Sequence, residues 1–258
     1  MANTTKTDPI KIKYYDPIEN SEKFLKIIFW VSLIFSFLIV LIDKKVHPVV
    51  YNWAQISFCT TVIVLFAVDL FNRLYLKTRA DDMRIKDFLS HAYKIELSHV
   101  KTEGYYNNNE IIPRRRIAAQ LLENAIHSKT TALEMVKFER IKISGYLLIW
   151  IIAVLNRSTD LEFATIAAQT LFGEYLISYY IRIEWIRIRA ERVYEDIYNL
   201  FQSNPNDDTF EIKTLEGLVK YETTKSCGGI LLSSKVFDLN NQEISAEWEK
   251  VKKILTIS

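Results

Sequence analysis

Residues 24–42 read FLKIIFWVSLIFSFLIVLI, and residues 53–71 read WAQISFCTTVIVLFAVDLF. Lys26 is the one charge in the first run and Asp69 the one charge in the second. Each run has the length a helix needs to cross a hydrocarbon core, roughly 20 residues at about 1.5 Å each. Between them lies Asp43-Lys44-Lys45-Val46-His47-Pro48, a charged cluster closed by proline, which separates two helices well. A hairpin this apolar has nowhere to bury itself in a water-soluble domain of 258 residues. The chain therefore reads as a membrane protein.

The remainder of the chain is not lipid-like. Mean hydropathy is +0.02, an average that hides apolar runs alternating with charged stretches. Net charge is only +2, so bulk charge gives no support for binding DNA or RNA. Cys59 and Cys227 are the two cysteines, one in an apolar run and one beside Gly228-Gly229, which indicates neither a disulfide framework nor a zinc site. The first run is too long for a secretory signal and has no small-x-small cleavage site before Lys44; no lipidation motif accompanies it.

Working outward, residues 1–20 are polar, contain Pro9 and Pro17, and are expected to lie loosely on the surface. Beyond Phe71 the pattern turns amphipathic: Leu74, Met83, Ile85, Phe88, Leu89, Ala92, Ile95 and Leu97 recur at three- and four-residue spacing. No Gly or Pro interrupts residues 72–103, which predicts one long helix ending at Gly104-Tyr105-Tyr106-Asn107-Asn108-Asn109. A second helix starts after Pro113 and leads without a breaker into a third apolar run, Ile143 to Leu155. Asn156-Arg157-Ser158-Thr159-Asp160 reads as a turn, and Leu161 to Ile181 as a fourth run that continues into Arg182–Leu200. The third run is short, so it either recruits flanking residues to cross or forms a re-entrant pair with the fourth. Glu184 with Arg187, and Arg189 with Glu191, fit a solvated helix face. Past Asn204-Pro205 a separate piece is expected: a short helix (Leu215 to Thr224), a Gly-Gly turn, a strand (Ile230 to Phe237) and a closing helix (Ser245 to Leu255) capped by Ser245.

These readings combine into an all-α membrane protein with four transmembrane helices in two hairpins. Long helices extend from it into a cytosolic bundle, and a small mixed piece closes the chain. The expected segments are a polar N-terminal stretch (1–22), a first hairpin (23–72), a cytosolic insert (73–142), a second hairpin (143–182), and a helix extension with the C-terminal piece (183–258). Arg73, Lys77, Arg79, Arg84 and Lys86 follow the second run, and Arg182, Arg187, Arg189 and Arg192 follow the fourth. The excess of Lys and Arg there places both termini in the cytoplasm, with Lys44 and Lys45 opposing. Trp53, Tyr179 and Tyr180 fit membrane-interface positions, while Trp30 and Trp150 fit bundle packing.

No enzymatic motif is present: no phosphate-binding Gly-rich loop, no His-Glu-x-x-His, no Gly-x-Ser-x-Gly. The expectation is a non-enzyme without catalytic residues, metal or cofactor. His91 and His99 are too far apart for one metal and read as solvated histidines, and Asp81-Asp82 reads as plain solubility. Glu174 stands inside the fourth apolar run near Gln169, where a carboxylate costs about 2.5–3.5 kcal/mol and faces a bundle interior or water. It either lines a pore or sets helix packing, with Gly173 allowing close approach, or it snorkels from a tilted helix. Arg114-Arg115-Arg116 opens a helix, where three cations oppose the dipole and call for an anion. The plainer reading is a solvated basic helix start.

Some stretches resemble a known family. Arg116-Ile117-Ala118-Ala119-Gln120-Leu121-Leu122-Glu123-Asn124-Ala125 before the third run is one, and Tyr221-Glu222, Leu232-Ser233-Ser234-Lys235-Val236 and Trp248-Glu249-Lys250-Val251 are others. With two hairpins around a helical insert, the chain resembles the bacterial four-transmembrane effectors encoded beside cyclic-oligonucleotide synthases (SMODS/CD-NTase) in CBASS anti-phage systems. The N-terminus departs from that pattern. The resemblance implies an effector that homo-oligomerises in the inner membrane and disrupts it when a cyclic oligonucleotide arrives. The alternatives are a membrane-anchored scaffold that binds a partner without forming a pore, and a small channel or transporter unrelated to defence.

Overall fold

A computed structural model describes residues 7–155 and 177–258. Among these, regular structure is helical throughout, and the one β-type pairing is an isolated antiparallel bridge between Thr7 and Glu103. In chain order the helices are α1 (Asp16–Leu41), α2 (Pro48–Phe71), α3 (Thr78–Tyr93), α4 (Pro113–Leu155), α5 (Ile177–Ser203), α6 (Asp207–Gly228) and α7 (Ser234–Ile254). Short π-helical stretches, Lys11–Tyr15 and Asn72–Lys77, precede α1 and α3. The described residues fall into two compact units, one of residues 10–81, 142–155 and 177–178, the other of residues 7–9, 82–141 and 179–258.

In the first unit α1 and α2 form a hairpin. Asp43 closes its turn: its carbonyl accepts from the amides of Val46 and His47, and its carboxylate accepts from Lys45 N at 2.8 Å. At the other end Ser21 donates to Asn72 Oδ1 at 2.8 Å, and Tyr15 donates to Asp81 at 3.2 Å. Residues 9–20 are helical or π-helical rather than loose. Ile10, Ile18 and Leu25 recur at seven- and eight-residue spacing and are all buried, so an apolar stripe begins well before the membrane-length run. Pro17 sits in the first turn of α1, where its missing N–H costs nothing. The stretch Pro48–Tyr93 is the one helical run among the described residues that is long and apolar enough, by length and composition, to cross a membrane. Its apolar side chains are largely left in the open: Trp53, Ile63 and Phe66 are each about two-thirds exposed. Trp30, expected to pack in a bundle, is 52% exposed.

The second unit is built around α4. Residues 116–123 are buried without interruption, so this helix is surrounded over two turns rather than packed on one face. Ala118, Ala119, Ala125 and Ala132 keep it slim enough for neighbours to approach. On α5 the buried residues Ile183, Ile186, Ala190, Val193, Ile197 and Leu200 recur at spacings of three and four, a continuous seam. On α6 the matching positions are small: Thr214, Gly217, Thr224 and Gly228 alternate with Phe210 and Tyr221. A Cβ on Gly217 would lie 2.7 Å from Ile197 Cδ1, and one on Gly228 2.6 Å from Ile186 Cδ1. Those glycines let α6 seat directly on the isoleucines of α5.

Three expectations need correction. The helix expected to run to Glu103 ends at Tyr93, because Lys94 turns into the left-handed region (φ 58°) and Ser90 Oγ captures the amide of Leu97 at 3.1 Å. The expected strand at 230–237 does not form. Ser233 accepts from Val236 N at 3.4 Å and starts α7 at Ser234, eleven residues before the predicted Ser245 cap. The closing segment is therefore helical, not mixed. It is also not separate, since Ile244, Trp248, Val251, Leu255 and Ile257 share one core with Ile117, Leu121 and Val193. The break expected at Asn204-Pro205 spans residues 204–206, and α6 starts at Asp207 rather than Leu215, with Asn206 capping it by accepting from Thr209 N at 2.9 Å. Gly229 (φ 64°) ends α6 in the left-handed conformation that favours glycine there.

Candidate functional site

The three arginines that open α4 diverge. Arg114 pairs with Asp207 at 2.5 Å. Arg115 pairs with Glu110 at 3.4 Å, donates to Asn204 Oδ1 at 3.0 Å and lies over the rings of Phe201 and Phe210. Arg116 is 6% exposed and donates to three backbone carbonyls: Glu110 O at 2.7 Å, Ala92 O at 2.6 Å and Ile111 O at 2.9 Å. A guanidinium suits that work because its five N–H donors form a fixed planar fork. It ties the C-terminal turn of α3, the negative end of that helix, to the approach to α4. Each cation thus has a partner within the chain. Gln169, Gly173 and Glu174 lie outside the described residues.

The segment between α3 and α4 is held by buried polar groups. Asp87, fully buried, accepts from Thr102 N at 3.0 Å and from Thr102 Oγ1 at 2.7 Å. His91 Nε2 lies 2.9 Å from the carbonyl of Thr102, which can only accept, so that nitrogen carries the proton. Asp82, expected to serve solubility, pairs with Lys86 at 2.7 Å. Glu123, 3% exposed, accepts from Asn107 N at 3.2 Å and Asn107 Nδ2 at 2.9 Å. Tyr106 packs edge-on against Phe88, His91 and Tyr105, and burial pushes its phenol well above the ordinary value. Burial raises Tyr105 as well, against the pull of Arg84.

This framework leaves a cavity of about 570 Å³ at the end of α3. His91, Lys94 and Tyr106 line it together with Asn108, Arg116 and Gln120. Gln120 is 1% exposed, and its Oε1 has no hydrogen-bond partner. Tyr106 Oη and both amide atoms of Asn108 are likewise buried and unpartnered. A buried polar atom without a partner costs about 1–3 kcal/mol, and these four are enclosed by protein rather than open to the cavity. Of the arginine triplet, only Arg116 reaches this wall. Sequence reasoning passed over Asn108 as a turn former and over Gln120 altogether. The available signal was a lone amide inside Ile117-Ala118-Ala119-Gln120-Leu121-Leu122, a run otherwise apolar.

Elsewhere the ion pairs are structural. Glu184 accepts from Arg187 at 3.0 Å and from Arg140 at 2.9 Å, and the Arg187 hydrogen bond holds its carboxyl below the usual range. Arg187 also takes Glu191 at 2.9 Å, so the pairing expected of Arg189 goes to its neighbour. Arg189 instead reaches Thr224 and lies over Trp185. Cys59 and Cys227 are both free and exposed. Among the described residues no cluster of His, Cys, Asp or Glu could hold a metal ion. The described residues thus define an all-helical fold with one membrane-length helical run and a cavity in the unit built around α4. No family model matches the chain, and no curated protein or solved structure shows significant similarity to it.

Proposed function

We propose that the protein is a multi-pass effector of the bacterial inner membrane, with both termini in the cytoplasm. In this reading the hairpins reside in lipid, the unit around α4 receives a soluble anionic signal, and oligomers of the chain then breach the membrane. One observation carries the reading: the apolar side chains of α2 stay largely in the open, while polar and apolar groups around α4 are buried and closely packed. Trp53, Ile56, Ile63 and Phe66 are each more than half exposed, and a hydrocarbon phase covers such side chains well. The defence role and the nucleotide signal rest on the family resemblance described above. A signal can act only by binding the assembled state more tightly than the resting state.

Flotation with liposomes tests the first half and release of an encapsulated dye the second. The protein should float with vesicles and resist carbonate extraction, then release dye when its signal is added. Flotation without release under any signal would leave a membrane-anchored scaffold. A protein that stays dissolved without detergent and fails to float refutes the whole reading.

A further inference from the structure

The outward surface of α4 and α5 changes character at one level. On α5 the seam Ile183, Ile186, Ala190 and Val193 faces the core. The opposite stripe reads Ile181, Trp185, Ile188, then Arg192, Glu195 and Asn199, all exposed. It is apolar up to Ile188 and polar from Arg192 on. On α4, Phe138 and Ile141 are 64% and 74% exposed, while Glu134 and Thr130 follow one and two turns farther out, with Leu133 at the margin. The two helices run antiparallel, and two contacts fix their register: Arg140 pairs with Glu184 at 2.9 Å, and Lys129 Nζ lies 3.6 Å from the centre of the Tyr194 ring. That register sets Phe138 level with residue 186, so the two changes coincide within about 3 Å, the rise of two residues. Agreement between helices of different sequence marks a plane, and a water–lipid boundary is such a plane. Val219 on α6 is as exposed as Phe138, yet no helix carries its face on into an apolar run.

Helix length points the same way. α4 continues unbroken through the apolar residues 143–155, which span only about 20 Å; counted from Phe138 the stretch reaches about 27 Å, close to the roughly 30 Å of a hydrocarbon core. The same band carries cations. Lys137 is about half exposed, Arg189 lies over Trp185, and exposed Arg192 has no ion-pair partner among the described residues. Apolar side chains interleaved with Trp, Lys and Arg suit a headgroup layer, where the rings and stems meet acyl chains and the charges meet phosphates. We infer that residues 138–141 and 181–188 lie in the headgroup layer of an anionic bilayer, with Phe138, Ile141, Trp185 and Ile188 at its acyl edge and Lys137, Arg189 and Arg192 on lipid phosphates. This boundary rests on reading the chain as a membrane protein. It moves a turn or more of each helix, assigned by sequence to the cytosol, into the membrane interface.

Nitroxide depth measurement tests it on the full chain in vesicles of phosphatidylglycerol and phosphatidylcholine, with Cys59→Ser and Cys227→Ser removing the two free cysteines. Single labels go on Phe66→Cys in α2, Phe138→Cys, Ile188→Cys and Glu195→Cys. Oxygen partitions into lipid and a nickel chelate into water. Labels at 66, 138 and 188 should favour oxygen, and the ratio should reverse at 195, two turns beyond Ile188. Nickel access at 138 and 188 equal to that at 195 overturns the inference. With 66 still in lipid the membrane reading survives that result, and with 66 in water it falls too. Spin-labelled phosphatidylglycerol should be retained at the protein surface about fivefold more strongly than spin-labelled phosphatidylcholine, the worth of one cation at an anionic surface. Lys137→Gln combined with Arg192→Gln, both at exposed positions, should lower that preference by about half or more. Equal retention of the two lipids by the parent, or an undiminished preference in the variant, overturns the assignment of these cations to phosphates.

Discussion

Replacing Arg116 with methionine should lower the melting temperature sharply, whereas replacing Arg114 with alanine should barely move it. Methionine keeps much of the buried stem but removes the donors to Glu110 O, Ala92 O and Ile111 O, which lie at 2.6–2.9 Å. Hydrogen bonds from a charged donor contribute about 1.5–3 kcal/mol each, so three give an upper sum of roughly 5–9 kcal/mol. Two effects reduce it. The variant no longer buries a guanidinium, and water can reach the Ile111 carbonyl, since that residue is 85% exposed. A net loss of about 3–4 kcal/mol remains. At about 2–4 °C per kcal/mol for a chain of this size, the midpoint should fall by roughly 6–16 °C. Arg116→Lys should lose more than half as much, because one ammonium cannot serve three carbonyls in different directions. Arg114 pairs with an Asp207 side chain that is 75% exposed, a contact worth about 0.5 kcal/mol at most. The assay is thermal unfolding in detergent followed by tryptophan fluorescence, with Trp248 as the buried reporter. Equal midpoints for Arg116→Met and Arg114→Ala would show that the carbonyl clamp carries no stability and would return the arginines to the role of a free anion site.

Three further outcomes follow from the core. Trp248→Ala, at a site 1% exposed, should cost about 3–5 kcal/mol, while Trp248→Phe should cost less than a typical core truncation because it also removes an unpartnered indole N–H; chemical denaturation distinguishes them. Gly217→Ala should destabilise by about 1 kcal/mol despite better helix propensity, since its Cβ meets Ile197 Cδ1 at 2.7 Å, and Ile197→Val, which deletes that atom, should restore part of the loss in a double-mutant cycle. Burial pushes Tyr221 up to about 12 from 10.0, so below pH 10 the phenol is neutral in both states and stability is unaffected. Between pH 10 and 12 the unfolded phenol ionises first, and Tyr221 should take about 3 kcal/mol of stability with it, a part of the alkaline slope that Tyr221→Phe should remove while Tyr105 and Tyr106 keep theirs.

Much of the helical architecture was legible because apolar spacing and breakers agreed. Pro113 and Asn204-Pro205 bound helices in sequence and in structure alike, since both proline and the residue before it disfavour helix interiors. Where boundaries were missed, tertiary partners decided. Nothing local ends a helix at Tyr93; Asp87, Ser90 and Arg116 end it by holding Thr102, Leu97 and the Ala92 carbonyl, contacts that span 7 to 24 residues. The stretch 230–237 looks strand-like in composition, but Ser233 caps a helix there and Asn240-Asn241 does not break it. Candidate binding residues were legible as charge and not as geometry. The arginine triplet is conspicuous in sequence, yet three successive helix positions point about 100° apart and cannot converge on one small anion from the same face.

The amides of Asn108 and Gln120 carry the opposite lesson. Neither is conspicuous in composition, and both become informative only once burial is known. Four unpaired atoms at about 1–3 kcal/mol each represent a cost comparable to the whole stability of an ordinary domain, about 5–15 kcal/mol. Leucine at position 120 would remove the unpaired Oε1 at similar volume, so stability alone does not select the amide. A ligand at a hundred times its dissociation constant returns about 2.7 kcal/mol to the state that binds it. That shifts a two-state equilibrium by about a hundredfold, half in free energy of the roughly 5.5 kcal/mol that carries it from 1:99 to 99:1.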